Sequence, residues 1–120
     1  MYSPPGWPER VRPPGVPGWE QSTIPYLFDC CPPDFRAYRV LRNHPLVLAQ
    51  FATHFVHGQH ETVQRGLADI RSNLRRRVAP EVVEAAAQAW LEQGAQLART
   101  RRAVGLVDEG LRGGVFVPKL

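Results

Sequence analysis

Two long stretches with apolar residues at helical spacing, joined at Val78-Ala79-Pro80, constrain this chain more than any other feature. They run from about Pro45 to Leu111, more than half of the 120 residues. In the first, Val63, Leu67, Ile70 and Leu74 step by four, three and four. That heptad-like spacing keeps one stripe of a helix facing a partner helix. In the second, Val83, Ala86, Trp90, Leu97, Val104, Val107 and Leu111 form the matching stripe. A short connection between two such helices forces them antiparallel. The pattern predicts an all-α fold built on a long antiparallel hairpin, over about residues 45–77 and 80–112.

Punctuation supports those limits. Pro45 and Pro80 each suit a first helical position, where a missing N–H costs no bond. Glu81 and Glu84 lie in the first turn of the second helix, which favours acids. Gly113-Gly114 closes it as a glycine C-cap does. Folding the chain about Ala79 predicts a register: Leu74 on Val83, Leu67 on Trp90, Val56 near Val104. Gly58 and Gly66 each weaken the first helix by about 1 kcal/mol relative to alanine. Close approach of another backbone would account for them.

Ahead of the hairpin, two short helices are expected. One spans about Glu20–Cys31, capped by Ser22 or Thr23 and carrying Pro25 in its first turn. The other runs from Asp34 to about Arg42, with Phe35, Tyr38 and Leu41 on one face. Residues 1–19 form a proline-rich arm, ahead of a single helical domain at 20–120. Pro4-Pro5-Gly6-Trp7-Pro8 and Pro13-Pro14-Gly15-Val16-Pro17 are near-repeats nine residues apart. Such proline density imposes polyproline-II or turn geometry. Trp7 and Trp19 would pin the arm to the body. Pro5 to Arg10 also fits a PxxPxR ligand pattern, a frequent chance match. The apolar tail Val115-Phe116-Val117 should pack back on the hairpin.

Two helices of about 30 residues would each be roughly 45–50 Å long. One short chain cannot cover so long a seam. A second copy would complete a four-helix bundle with two-fold symmetry, so a homodimer is expected.

The formal net charge is +4, and arginine supplies nearly all of the positive charge, with Lys119 as the sole lysine. Arginine suits phosphate and carboxylate recognition. The accompanying Ala, Val, Pro and Gly content equally matches high-GC codon usage. Arg71, Arg75, Arg76 and Arg77 cluster at the hairpin tip, and Arg99, Arg101 and Arg102 form a second group about 30 Å along. Cations are favoured at a helix C-terminus. Alternatively, the two groups could dock a polyanion, making nucleic acid a candidate partner. Arg101 should lie opposite His57. No helix-turn-helix, zinc-finger or RNA-binding motif accompanies them.

His54, His57 and His60 are the other chemical candidates. His57 and Glu61 share a helix face, with His54 three residues away, a set that could hold a metal or haem. Turning about 300° every three residues, the histidines do not align on one face. His60-Glu61-Thr62-Val63-Gln64 departs from HExxH, because Gln64 replaces the second histidine. The alternative places His60 in the seam and His54 and His57 on its flanks. Cys30 and Cys31 are adjacent, which disfavours a mutual disulfide. They read as thiols, with a redox or metal pair as the alternative.

No phosphate-binding glycine loop, GxSxG or paired carboxylates appear. An enzyme is not expected, and no cofactor is called for. No apolar run approaches the ~20 residues of a membrane span. The N-terminal segment lacks a hydrophobic leader, so a cytoplasmic location is expected.

The segments Pro14-Gly-Val-Pro-Gly-Trp-Glu-Gln, Cys31-Pro-Pro-Asp-Phe-Arg-Ala-Tyr, His44-Pro and Leu111-Arg-Gly-Gly-Val-Phe-Val-Pro-Lys-Leu resemble a group of short hypothetical proteins from high-GC bacteria. That resemblance implies no activity, cofactor or catalytic residue. The residues themselves point to a non-catalytic interaction or scaffold protein. Nucleic-acid binding through the arginine tip is one alternative, and metal or haem binding the other.

Overall fold

A computed structural model describes residues 2–119. Four α-helices follow in order: α1 Trp19–Asp29, α2 Arg39–Asn43, α3 Pro45–Asn73 and α4 Pro80–Leu111, with a 3₁₀ turn at Pro33–Ala37. Among the described residues there is no strand. The antiparallel pair α3 and α4 is the largest helix–helix contact. Among the described residues no helix is long and apolar enough to cross a membrane.

At Trp90 the expected register is met to within one residue. The Trp90 indole lies on Gly66, one residue before Leu67; a Cβ at Gly66 would come within 3 Å of three indole atoms. The glycine thus admits a ring, not a backbone. Val63 packs against Gly94, where a Cβ would stand 3.2 Å from Val63 Cγ1. Val56 and Val104 are buried in one core cluster.

Three local expectations differ. Helix α1 begins at Trp19, not at Glu20, and no side chain caps it. Gly18, with φ 79°, swings the arm directly into the helix. Ser22 instead braces the arm, accepting from the Arg12 N–H at 3.0 Å and donating to the Trp19 carbonyl. Pro25 consequently lies inside the helix. The expected second helix is split at Tyr38, which is extended (φ −86°, ψ 113°). Of the three apolar positions, Phe35 falls in the 3₁₀ turn and Leu41 in α2, on either side of Tyr38. Helix α3 stops at Asn73, and a turn takes residues 74–79, with Arg77 and Val78 both donating to the Leu74 carbonyl. Leu74 is 37% exposed, so little packing is available to hold a further helical turn.

The proline near-repeat encodes two turns. Trp7 donates to the Pro4 carbonyl at 3.0 Å and Val16 to the Pro13 carbonyl at 3.2 Å. Each turn has proline second and a glycine third, with φ 91° at Gly6 and 89° at Gly15. That is the type II combination. The turns carry Trp7 and Val11 into the core beside Trp19, so the arm is part of the domain's packing. Trp7 lies 5.8 Å centroid to centroid from both Trp19 and Phe116. Gly110 is the floor beneath all three rings. The tail thus packs back through Phe116, while Val115 and Val117 remain exposed.

Packing is lopsided along the hairpin. Leu27, Phe28, Leu41, Leu48, Ala52 and Val107 are buried at the end where the arm and the short helices form further layers. Toward the tip, only Val63, Val83 and Ala87 are buried. The molecule measures 56 × 42 × 17 Å, with a Cα radius of gyration of 17.6 Å. A compact chain of this length would have about 13–14 Å.

Candidate functional site

Where the N-terminal layer ends, one flank of the α3–α4 seam opens into a groove of about 530 Å³. Helix α3 supplies His54, Phe55, Gly58, Gln59, Thr62 and Val63, and α4 supplies Trp90, Gln93 and Leu97. Its shape follows from the small residues. Gly66 lets the Trp90 ring settle between the helices, and a Cβ at Gly58 would meet nothing within 4 Å. Thr62 turns its hydroxyl back to the Gly58 carbonyl at 2.9 Å, leaving its methyl as packing surface.

None of the groove residues carries a formal charge, although 22% of the chain is Asp, Glu, Lys or Arg. Four other depressions each contain arginine. Helical spacing extends the uncharged lane on α4 through Val82, Ala86, Ala89 and Thr100, and on α3 through Val47 and Phe51. Phe51 and Val82 are 40% and 52% exposed. Phe55 joins the groove to the N-terminal layer, stacking edge-on against Phe35 of the 3₁₀ turn at 5.0 Å.

The histidines do not form one site. His57 Nε2 and Glu61 Oε1 pair at 3.1 Å on an exposed helix face. His54 borders the groove, while His60 lies on the opposite flank with Ala98, Arg101, Gly105 and Leu106. Arg101 reaches His60 Nδ1 at 3.4 Å. A guanidinium can only donate, so Nδ1 is the acceptor. This corrects two expectations: His60 stands at the seam's wet edge, and Arg101 faces His60 and not His57. Among the described residues, no three His, Cys, Asp or Glu side chains converge to hold a metal ion.

The thiols sit at the end of α1. Both are free. Cys30 contacts the Tyr26 carbonyl at 3.5 Å. Burial, and then the neighbouring Cys31, push the Cys30 thiol up to about 11, while burial also raises Cys31. Neither is an activated thiolate at neutral pH.

The two arginine groups differ. At the tip, Arg75, Arg76 and Arg77 line one depression with Ser72 and Asn73. Arg71 and Arg75 line another with Glu84. No ion pair involves these four among the described residues. The second group is dispersed. Arg99 donates to Gln96 at 2.8 Å, Arg101 meets His60, and Arg102 donates to the Pro5 carbonyl at 3.1 Å, fastening the arm. These three do not form one anion-binding face.

Sequence reasoning missed Phe55, Thr62 and Gln93 as site residues. The available signal was the run 82, 86, 89, 93, 97, 100, which is uncharged at helical spacing in a charge-rich helix. Compared with known proteins, the chain matches no family model, no curated protein and no solved structure.

Proposed function

We propose that the chain is a non-catalytic helical interaction module acting through protein–protein contacts on the uncharged face of its hairpin. The charge-free groove around Trp90 carries this reading. Charged residues are depleted from the centres of protein interfaces, and aromatic anchors are enriched there. A lane of exposed apolar and small residues on an otherwise charged surface is what a partner would cover.

Quantitative affinity capture from the source cell, comparing wild type with the double variant Thr62→Glu, Gln93→Glu, tests it. Both positions are exposed, so the fold should survive. Captured proteins should fall at least about tenfold for the variant, a change of about 1.4 kcal/mol. An identical set of partners for both proteins would remove the reading.

The depression shared by Ser72, Asn73 and three arginines supports nucleic-acid binding at the tip as a second reading. Neutralising Arg75, Arg76 and Arg77 to alanine should then weaken duplex binding and flatten its dependence on salt. Binding unmoved by those changes would end it.

A further inference from the structure

We infer that the occupant of the uncharged groove is a second copy of this chain, laid across it antiparallel about a two-fold axis. The inference rests on the interaction reading and specifies its partner. Three observations converge on it.

Area is the first. The chain exposes 8088 Å², whereas a folded monomer of 13.5 kDa exposes roughly 6,500 Å² by surface scaling. The excess is about 1,500 Å². A standard interface takes about 800 Å² from each partner. The unburied surface therefore suffices for a stable contact.

Charge is the second. In a two-fold interface the same patch meets itself, so a charge near the axis meets its own sign. None of the groove's nine lining residues is charged, whereas the flank holding Gly105 carries Arg101 and Arg102.

Sterics set the direction. The 3₁₀ turn, through Phe35 on Phe55, stands as a wall at one end of the groove. With both tips pointing the same way, two such walls would collide and hold the hairpins apart. Antiparallel, each tip half lies in the other's open half, and the walls flank a four-helix overlap. Gly58 offers bare backbone at the centre, which permits helix axes to approach to about 8 Å.

Glycine substitutions on the two flanks provide the test. A Cβ at either Gly58 or Gly105 meets nothing within 4 Å, so both positions accept a side chain in the folded chain. Sedimentation equilibrium of the full chain should give a dimer for wild type and for Gly105→Glu. Gly58→Glu should dissociate at least about 100-fold more readily, with unchanged helicity, because it buries like charges against each other. Mixing Gly58→Glu with Gly58→Arg should restore dimers, since opposite charges then meet across the axis. Should either Gly58 variant lose helicity, Gln93→Glu with Gln93→Arg repeats the test.

A wild type that stays monomeric to about 100 µM, or a mixture that fails to reassociate, overturns the inference. So does equal dissociation by Gly105→Glu. A monomeric wild type whose captured partners still depend on Thr62 and Gln93 would remove the second copy and leave the interaction reading standing.

Discussion

Three glycines in the hairpin look alike in sequence and do different work. Gly66 is filled from outside by the Trp90 ring, whereas Gly58 and Gly105 face open space. Alanine at Gly105 should therefore gain helix propensity without a clash, raising stability by about 0.5–1 kcal/mol. Alanine at Gly66 has the same propensity gain, but its methyl must displace the indole. We expect a net loss of about 1–3 kcal/mol. Urea unfolding at one fixed protein concentration measures both, and a stabilised Gly66→Ala would show that the ring moves freely. The thiols give a residue-scale prediction about pH. Because the fold raises the Cys30 pKa from 9.0 to about 11, it favours the neutral thiol. That contribution is complete below pH 9 and is lost as pH rises toward 11. Melting temperature should fall across that window in wild type and more weakly in Cys30→Ala. Asp29 has the opposite sign. The Arg10 hydrogen bond, and the charges of Arg10 and Arg36, hold its carboxyl below the usual range. Its contribution is lost as pH falls through that depressed value, and its exposure keeps the effect small.

At the level of elements, the arm behaves as a helix substitute. Its two type II turns place Trp7 over Gly110, with the indole N–H donating to the Val11 carbonyl at 3.2 Å. Trp7→Ala should cost about 3–5 kcal/mol and release the arm, freeing the Arg10–Val11 bond for trypsin. Limited proteolysis followed by mass measurement would show the cut; an arm that stays resistant would mean the Arg102 bond to the Pro5 carbonyl suffices to hold it. Much of this level was legible in sequence, because local chemistry decides it. Pro45, Pro80 and Gly113-Gly114 mark three helix ends, and the four-three-four spacing gives the hairpin and its register. What escaped depended on contacts that spacing alone does not contain. Ser22 looks like a cap until Arg12 arrives from the arm to use its hydroxyl. Residues 74–77 look helical until Leu74 proves to be only partly covered. His60 fits the seam until Arg101 appears opposite. The groove was half visible: Gly58 and Gly66 stood out, but the uncharged lane on α4 gains meaning only once its flank is known to be bare.

Across the whole molecule, packing depth should set local stability. The end bearing the arm holds Leu48, Ala52, Val56, Val104 and Val107 under several layers, while residues 64–95 form two helices with little behind them. Opening a region costs roughly what its buried contacts contribute, so the tip half should open far more often than the layered end. In the monomeric Gly58→Glu variant, hydrogen exchange should be fast for amides of residues 66–73 and 83–95. Exchange should be slow for residues 48–56 and 103–110, the two sets differing by at least about tenfold in protection. The wild type adds a second condition. If another copy lies on the uncharged face, raising concentration should slow exchange at the tip half, whose local openings must then break the added contacts. A gradient that is present in the variant and concentration-dependent in the wild type therefore links layer thickness, local opening and self-association in one measurement. Uniform protection along the hairpin in the dilute variant would mean that two helices alone stabilise the tip.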